Sequence, residues 1–205
     1  MLVIRTQIHE KVQINMGQEL EDIRARYIRV RNRELSEIDT QILLIEPVLE
    51  IAGWDVNNHE QVKRAHRRGR GAKMEFDIEV YSSKDDSEAA IAIECKSLES
   101  TITLKSRKGV GQLLYDIKTG LWWQKRIEHV GQLRAYCVNY PQFDESSLAV
   151  LTNGFDWVIF DTLTFINKSQ LGEPILKIMK HSQLTEANFE ETVVATLRSA
   201  NKKKS

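Results

Sequence analysis

The chain has 205 residues, of which 41% are hydrophobic and 28% are charged, and its formal net charge is zero. This size predicts one domain with a core of its own and a terminal extension. The neutral balance excludes a globally basic protein, so any nucleic-acid surface must be a local patch. Two cysteines, and no signal peptide or apolar run of membrane-spanning length, predict a cytoplasmic protein without disulfides or membrane contact.

Residues 1–35 are predicted to form an N-terminal helical extension, because apolar residues recur there at spacings of three and four. The predicted α/β domain follows over residues 36–200, and residues 201–205 are a basic tail. We interpret the arginines of the extension as a solvated face, with phosphate contacts as the alternative. These arginines are Arg24, Arg26, Arg29, Arg31 and Arg33.

The segment from Ser36 to Trp54 is predicted to form the first helix of the domain. Ser36 followed by Asp39 is typical of a helix start, and Gly53 is typical of a helix end. Pro47 should bend or break this helix near residues 44–46. A strand is predicted to begin at Trp54.

Residues 75–97 predict a β-hairpin with one apolar face and one acidic face, since apolar and polar residues alternate on both sides of a polar turn. A two-residue turn at Asp85–Asp86 makes the numbers of opposed residues sum to 171. That register places Asp77 opposite Glu94 on one face of the sheet. Lys96 lies two residues further along the same face.

Paired carboxylates on a sheet repel each other unless a cation joins them, and oxygen ligands favour Mg²⁺ or Mn²⁺. The carbonyl of Cys95 could add a third oxygen beside Asp77 and Glu94. Lys96 could then hold an attacking water and stabilise a pentavalent phosphorane, the chemistry of metal-assisted phosphodiester hydrolysis. The alternative is a solvated strand face on which Glu94 and Lys96 form an ordinary salt bridge.

Asp77 followed by Glu94-x-Lys96 on a hairpin resembles the PD-(D/E)xK nuclease superfamily, although Phe76 stands where that pattern has proline. The resemblance implies an α/β restriction-endonuclease-like fold with a mixed central β-sheet flanked by helices. It also implies a Mg²⁺- or Mn²⁺-dependent nuclease, most simply a DNA endonuclease, with RNA as the alternative substrate. Asp77 and Glu94 would bind the metal, and Lys96 would position the water.

Further residues resemble one branch of that superfamily, the N-terminal nuclease domain of type I restriction enzyme motor subunits and its stand-alone relatives. The matching positions, in chain order, are Glu37, Glu46-Pro47, Gly53-Trp54-Asp55, Gln132-x-x-x-Tyr136 and Leu151-Thr152-Asn153-Gly154. The resemblance implies that Glu37 reaches the metal site, directly or through water. It also implies that Gln132 and Tyr136 orient the nucleic-acid backbone or the catalytic lysine. On the residues alone, Glu37 is more often just a favourable negative charge in a first helical turn, and the resemblance brings the two interpretations level.

Two basic segments flank the predicted hairpin. Residues 62–73 are predicted to be a loop, and residues 103–109 follow the second strand. We interpret both as phosphate contacts, with a solvated basic loop as the alternative. The residues concerned are Arg64, Arg67, Arg68, Arg70, Lys105, Arg107 and Lys108.

The rest of the chain predicts a helix over residues 110 to about 140, in which Trp122 and Trp123 pack in the core or an interface. Stacking of the two tryptophans on bases is the alternative. A strand–turn–strand follows over residues 148–161 with its turn at Asn153–Gly154. Residues 162–174 are predicted to add a strand, and residues 186–200 a closing helix capped by Ser182 or Thr185.

We expect DNA as the partner and a homodimer, because cutting both strands requires two sites. No glycine-rich loop for ATP and no histidine or cysteine spacing for zinc is present in the sequence. Two rival interpretations stay open. One is a catalytically silent nuclease fold that binds DNA or serves in assembly, and the other is a plain interaction domain with a salt-bridged hairpin.

Overall fold

The structure is a computed structural model that describes residues 18–19, 21–30, 32–64, 76–82, 89–98, 128–139, 147–166, 175–179 and 189–202. Six strands form one sheet in chain order, and all neighbours are antiparallel except β3 and β4, which are parallel. This mixed sheet with helices confirms the α/β class. The strands are β1 (Val62–Arg64), β2 (Ile78–Val80), β3 (Ile91–Cys95), β4 (Leu148–Thr152), β5 (Trp157–Asp161) and β6 (Ile175–Met179).

Five helices are described. Helix α1 covers residues 21–30. Helix α2 consists of three consecutive segments, of which the middle one is a π-helix: Glu37–Thr40, Gln41–Ile45 and Glu46–Ile51. Helices α3 (Glu128–Asn139) and α4 (Thr162–Ile166) follow, and α5 joins a π-segment, Glu190–Val194, to Ala195–Lys202. No helix in these described parts is long and apolar enough to cross a lipid bilayer.

Both predicted ends of α2 are confirmed. The Ser36 hydroxyl accepts the Asp39 N–H at 3.1 Å and donates to the Asp39 carboxylate at 2.7 Å. At the other end, Gly53 has φ +94°, and the N–H groups of Gly53 and Trp54 reach back to the last helical carbonyls. Pro47 does not break the helix. The chain instead widens into the π-segment just before Pro47, and helical bonding continues afterwards.

The predicted hairpin register is confirmed by the pairs Ile78–Ile93, Glu79–Ala92 and Val80–Ile91, whose numbers each sum to 171. The turn itself, at residues 83–88, lies outside the described residues. The expected apolar face is confirmed, because Ile78, Val80, Ile91 and Ile93 lie in the main core, while Glu79 and Glu94 lie on the opposite face. Every residue of β3 is nevertheless buried, so the alternative of a solvated strand face is wrong for β3. Strand β3 lies inside the sheet beside a parallel neighbour, where helices cover both faces.

One face of the sheet packs on α2 and α5 and forms the main core. Ile78, Ile93 and Val150 from the sheet meet Leu49 from α2 and Leu197 from α5 in this cluster. On the other face, α3 contacts β4 and α4 contacts β5. Arg134 of α3 links the two helices by donating to the carbonyls of two residues in α4. The closing helix and its buried apolar positions are therefore confirmed over the part described, residues 189–202.

The β4–β5 hairpin is confirmed, with residues 153–156 between the strands. The Asn153 side-chain oxygen accepts the N–H groups of Phe155 and Asp156 at 3.0 and 2.8 Å. Gly154 has φ +81°, and a Cβ there would lie 2.7 Å from the Cβ of Leu44. Glycine is therefore required twice over, by the turn conformation and by the close approach of α2.

Three predicted elements are wrong. Residues 54–61 form turns rather than a strand, because the Asp55 carboxylate accepts the Asn57 N–H and Trp54 is anchored by its indole N–H to the Leu197 carbonyl. Residues 62–64 are strand β1 rather than loop. Residues 162–166 are helix α4 rather than strand, since the chain turns back there and Phe165 stacks on Phe160 with ring centroids 4.1 Å apart.

The helical prediction for the N-terminal extension is confirmed over residues 18–19 and 21–30. Tyr27 and Val30 pack with Leu44 of α2 and Phe155 of the hairpin turn. Arg24, Arg26, Arg29 and Arg33 are exposed, which suits either a solvated face or a phosphate contact. Arg31 lies outside the described residues. The helix predicted over residues 110–140 is confirmed where described, as α3. Trp122, Trp123, Ser182 and Thr185 lie outside the described residues.

Candidate active site

Three residues of the predicted site come together where β2 begins and β3 ends. Asp77 directly precedes β2, Glu94 is in β3, and Lys96 directly follows β3. The observed register continues to an Asp77–Glu94 pair, whose side chains then lie on the same face. Lys96, two residues beyond Glu94, shares that face.

Lys96 and Glu94 form a buried ion pair, with 2.5 Å between Lys96 Nζ and Glu94 Oε1. The Lys96 side chain is only 7% exposed and the Glu94 side chain only 3%. Burial, together with the negative charge of Asp77, raises the pKa of Glu94 to about 7 despite the opposing effect of Lys96. Burial lowers the pKa of Lys96, but the hydrogen bond and charge of Glu94 raise it further, and the net change is upward. Lys96 is therefore a stable cation, and Glu94 is an acid poised near neutrality.

Asp77 is held in place by the backbone of β3. Its Oδ2 accepts the Cys95 N–H at 2.7 Å. The N–H and C=O of one strand residue point to the same neighbour, so the Cys95 carbonyl also faces the side on which Asp77 lies. The Cys95 thiol is in the core, where burial raises its pKa well above the usual value. The predicted oxygen donors Asp77, Glu94 and the Cys95 carbonyl are thus neighbours.

Glu37 reaches the same pocket from α2. Its Oε1 lies 4.0 Å from Lys96 Nζ, and its side chain is 31% exposed. The helix start at Ser36 fixes this position, because Glu37 is the first residue of the helix. The resemblance led us to expect Glu37 at the metal pocket, and the structure places it beside the lysine.

The chain that follows Lys96 is held by two other elements, and the sequence did not reveal this. The Lys96 N–H donates to the Thr152 carbonyl at 2.9 Å. The Leu98 N–H donates to Thr40 Oγ1 at 3.1 Å, and the Leu98 carbonyl accepts from Asn153 Nδ2 at 3.5 Å. Thr152 and Asn153 belong to the Leu-Thr-Asn-Gly run singled out in the sequence. Thr40 carried no sequence signal of its own.

Gln132 and Tyr136 share a face of α3, as their spacing predicted. The Gln132 side-chain amide donates to the Tyr136 hydroxyl at 2.7 Å. The Tyr136 ring packs edge-on against Phe76, with centroids 5.7 Å apart. Tyr136 is thereby placed next to the residue that precedes Asp77, at the edge of the candidate site.

Arg64 is engaged inside the fold. It donates to both Glu46 oxygens, at 2.6 and 3.0 Å, and to the Val56 carbonyl at 2.8 Å, while Gln41 also donates to Glu46. This partly buried pair ties β1 to α2 and argues against the predicted phosphate contact for Arg64. The other residues of the two basic segments lie outside the described residues, namely Arg67, Arg68, Arg70, Lys105, Arg107 and Lys108.

The donor chemistry of the pocket suits a hard divalent cation, since two carboxylates repel each other beside a backbone carbonyl. In the described ranges, no three or more His, Cys, Asp and Glu side chains form a group that could hold a metal ion. A cation held by Asp77 and Glu94 would take its other ligands from the Cys95 carbonyl and from water, as Mg²⁺ commonly does. No protein-family model matches the chain, nor does any curated protein or solved structure.

Proposed function

We propose that the chain is a Mg²⁺- or Mn²⁺-dependent nuclease of the PD-(D/E)xK type, with a restriction-endonuclease-like fold, acting on DNA. The observation that carries the proposal is the hairpin register, which puts Asp77 and Glu94 side by side with Lys96 on the same face. The order of strands and helices agrees with the mixed, helix-flanked sheet that the resemblance implies.

Each residue of the pocket has a distinct task in this proposal. Asp77 and Glu94 hold the cation, aided by the Cys95 carbonyl. The bound cation supplies Lewis-acid polarisation of a phosphate oxygen and of water. Lys96, a buried cation, donates hydrogen bonds to the attacking water and to the charge that develops on phosphorus. Glu37 balances the Lys96 charge, and Tyr136 with Gln132 borders the site where the nucleic-acid backbone would pass.

A catalytically silent nuclease fold is the second candidate, and one observation favours it. The Lys96 ammonium donates to Glu94 Oε1 at 2.5 Å, so this carboxylate oxygen, which a metal ion would use as a ligand, already has a partner. An intact Asp77, Glu94 and Lys96 set nevertheless supports the enzyme, because a structural ion pair needs neither Asp77 nor Glu37 beside it.

Cleavage of supercoiled plasmid with Mg²⁺ or Mn²⁺ separates these candidates. We expect the wild type to nick or linearise DNA, and Lys96→Ala and Asp77→Ala to lose at least about a hundredfold in rate. Lys63→Ala, which removes an exposed lysine from β1, is the matched control and should cut like the wild type.

Equal cutting by wild type and both site variants would show that cleavage does not depend on Asp77 or Lys96, and the enzyme proposal would fail. DNA binding without cleavage by all four proteins would instead support the silent fold. A parallel assay on RNA tests the substrate class. The proposed homodimer is tested by sedimentation with and without DNA.

A further inference from the structure

The main chain after Lys96 is hydrogen-bonded to two separate elements, α2 and the β4–β5 turn. Thr40, in α2, accepts the Leu98 N–H, and Asn153, in the β4–β5 turn, donates to the Leu98 carbonyl. Lys96 itself is bonded through its N–H to the carbonyl of Thr152. Lys96 is therefore at the start of a short segment that three side-chain and backbone contacts hold.

Thr40 is one helical turn from Glu37, so two bridges join the same stretch of α2 to the end of β3. One bridge is the Thr40–Leu98 hydrogen bond, and the other is the 4.0 Å contact between Glu37 and Lys96 Nζ. Thr40 is fully buried, and its own N–H is used by the Ser36 carbonyl. The Thr40 bridge thus fixes how far the first turn of α2 stands from the lysine.

We propose that Thr40 is a positioning residue that keeps the Lys96 ammonium within reach of Glu37. This inference rests on the proposed nuclease function. Lys96 Nζ lies 2.5 Å from Glu94 and 4.0 Å from Glu37. When a metal ion binds Glu94, the ammonium has to leave that carboxylate and pair with Glu37 instead. If the Thr40 bridge is lost, residues 97 and 98 can move away from α2, and Lys96 stays bound to Glu94.

The test compares Thr40→Val, which removes the acceptor at nearly constant volume, with Thr40→Ser, which keeps it. Thr162→Val is the matched control, because Thr162 is also fully buried and its hydroxyl has no hydrogen-bond partner among the described residues. Two readouts are needed. The first is the ¹⁵Nζ and ¹³Cε chemical shifts of Lys96 in the ion-free protein at fixed pH. The second is kcat and KM for plasmid cleavage.

We expect Thr40→Val to move the Lys96 signals and to lower kcat about tenfold or more with KM within about twofold, since displacement of a catalytic group by a fraction of an ångström slows the reaction rather than weakening binding. Thr40→Ser should restore both readouts, and Thr162→Val should change neither. Unchanged Lys96 signals in Thr40→Val, or an equal loss in Thr162→Val, would overturn the proposal.

Two further outcomes are decisive. If Thr40→Val does not fold, Thr40→Ala removes the same acceptor without adding a methyl group, and the same readouts apply to it. If the wild type does not cleave nucleic acid, the proposed function has failed, and the ion-free Lys96 signals of the Thr40 variants still decide whether Thr40 positions the lysine.

Discussion

Glu94 should make the ion-free protein less stable as the pH rises towards neutrality. Its pKa is raised in the folded protein from 4.5 to about 7, first by burial and then by the charge of Asp77. An acid whose pKa is raised on folding binds its proton more tightly in the folded state. The stabilisation is complete below about pH 4.5 and is lost as the pH rises through about 7.

The change in unfolding free energy can be calculated from the change in the pKa of Glu94. Moving a pKa from 4.5 to about 7 corresponds to about 3 kcal/mol of unfolding free energy, at about 1.4 kcal/mol for each pKa unit. Lys96 does not contribute in this range, because its pKa is raised from 10.5 and its titration lies at higher pH.

Glu94→Gln isolates this contribution, since the amide cannot ionise. Urea unfolding of wild type and variant should be compared from about pH 4.5 to about pH 8 in the presence of a chelator. We expect the difference in unfolding free energy to change by about 3 kcal/mol across that range, in favour of the variant at the alkaline end. Parallel dependences of the two unfolding free energies on pH would contradict this expectation, because they would show that Glu94 titrates alike in the folded and unfolded chains.

A divalent cation should oppose this loss of stability at higher pH. It binds ionised Glu94, so it should stabilise the folded protein most at the alkaline end of the range. At a hundred times the dissociation constant, binding to the folded state alone adds about 2.7 kcal/mol. The wild-type loss of stability on raising the pH should then be nearly cancelled, while Glu94→Gln should respond only weakly.

Three further predictions concern stability and are measured by urea unfolding. Gly154→Ala should cost more than Gly53→Ala, because both have positive φ but a new Cβ meets a neighbour only at Gly154. We expect about 1 kcal/mol for Gly53 and about 2–4 kcal/mol for Gly154. Arg64→Leu should cost about 3 kcal/mol, because the Glu46 carboxylate would lose its cationic partner and keep the neutral donor of Gln41. Ser36→Ala should cost about 1 kcal/mol by removing the α2 cap, and equal stability to wild type would contradict that role.

The features predicted correctly from the sequence depend on contacts between residues near each other in the chain. Alternating residues around a polar turn fixed the pairing of β2 with β3, because a hairpin register follows from its turn alone. The cap at Ser36 and the end at Gly53 are equally local. The Asp77–Glu94–Lys96 cluster could be predicted for the same reason.

The features that were missed depend on distant partners. Trp54 begins a run with strand-like residues, yet its indole is bonded to Leu197, 143 residues away. Arg64 looked like one of several loop arginines until the fold placed it on Glu46. The contact of Thr40 with Leu98 joins residues 58 apart and needs only a hydroxyl and a backbone N–H, neither of which has a sequence signature.

The covered polar face of β3 was missed for a related reason. Alternation predicts which side chains share a face, but it does not predict whether a helix covers that face. β4 pairs in parallel with β3, and parallel pairs are joined by crossover connections, usually helices, that cover the faces of the sheet. Glu37 of α2 also lies beside Lys96.

Titration calorimetry with Mn²⁺ measures whether Asp77 and Glu94 together hold a divalent cation. We predict one site per chain in the wild type, and at least tenfold weaker binding by Asp77→Asn and by Glu94→Gln. Asp55→Asn, which changes an exposed aspartate in a turn away from the pocket, should bind like the wild type. No heat of binding in the wild type, or equal affinity in all four proteins, would contradict the account.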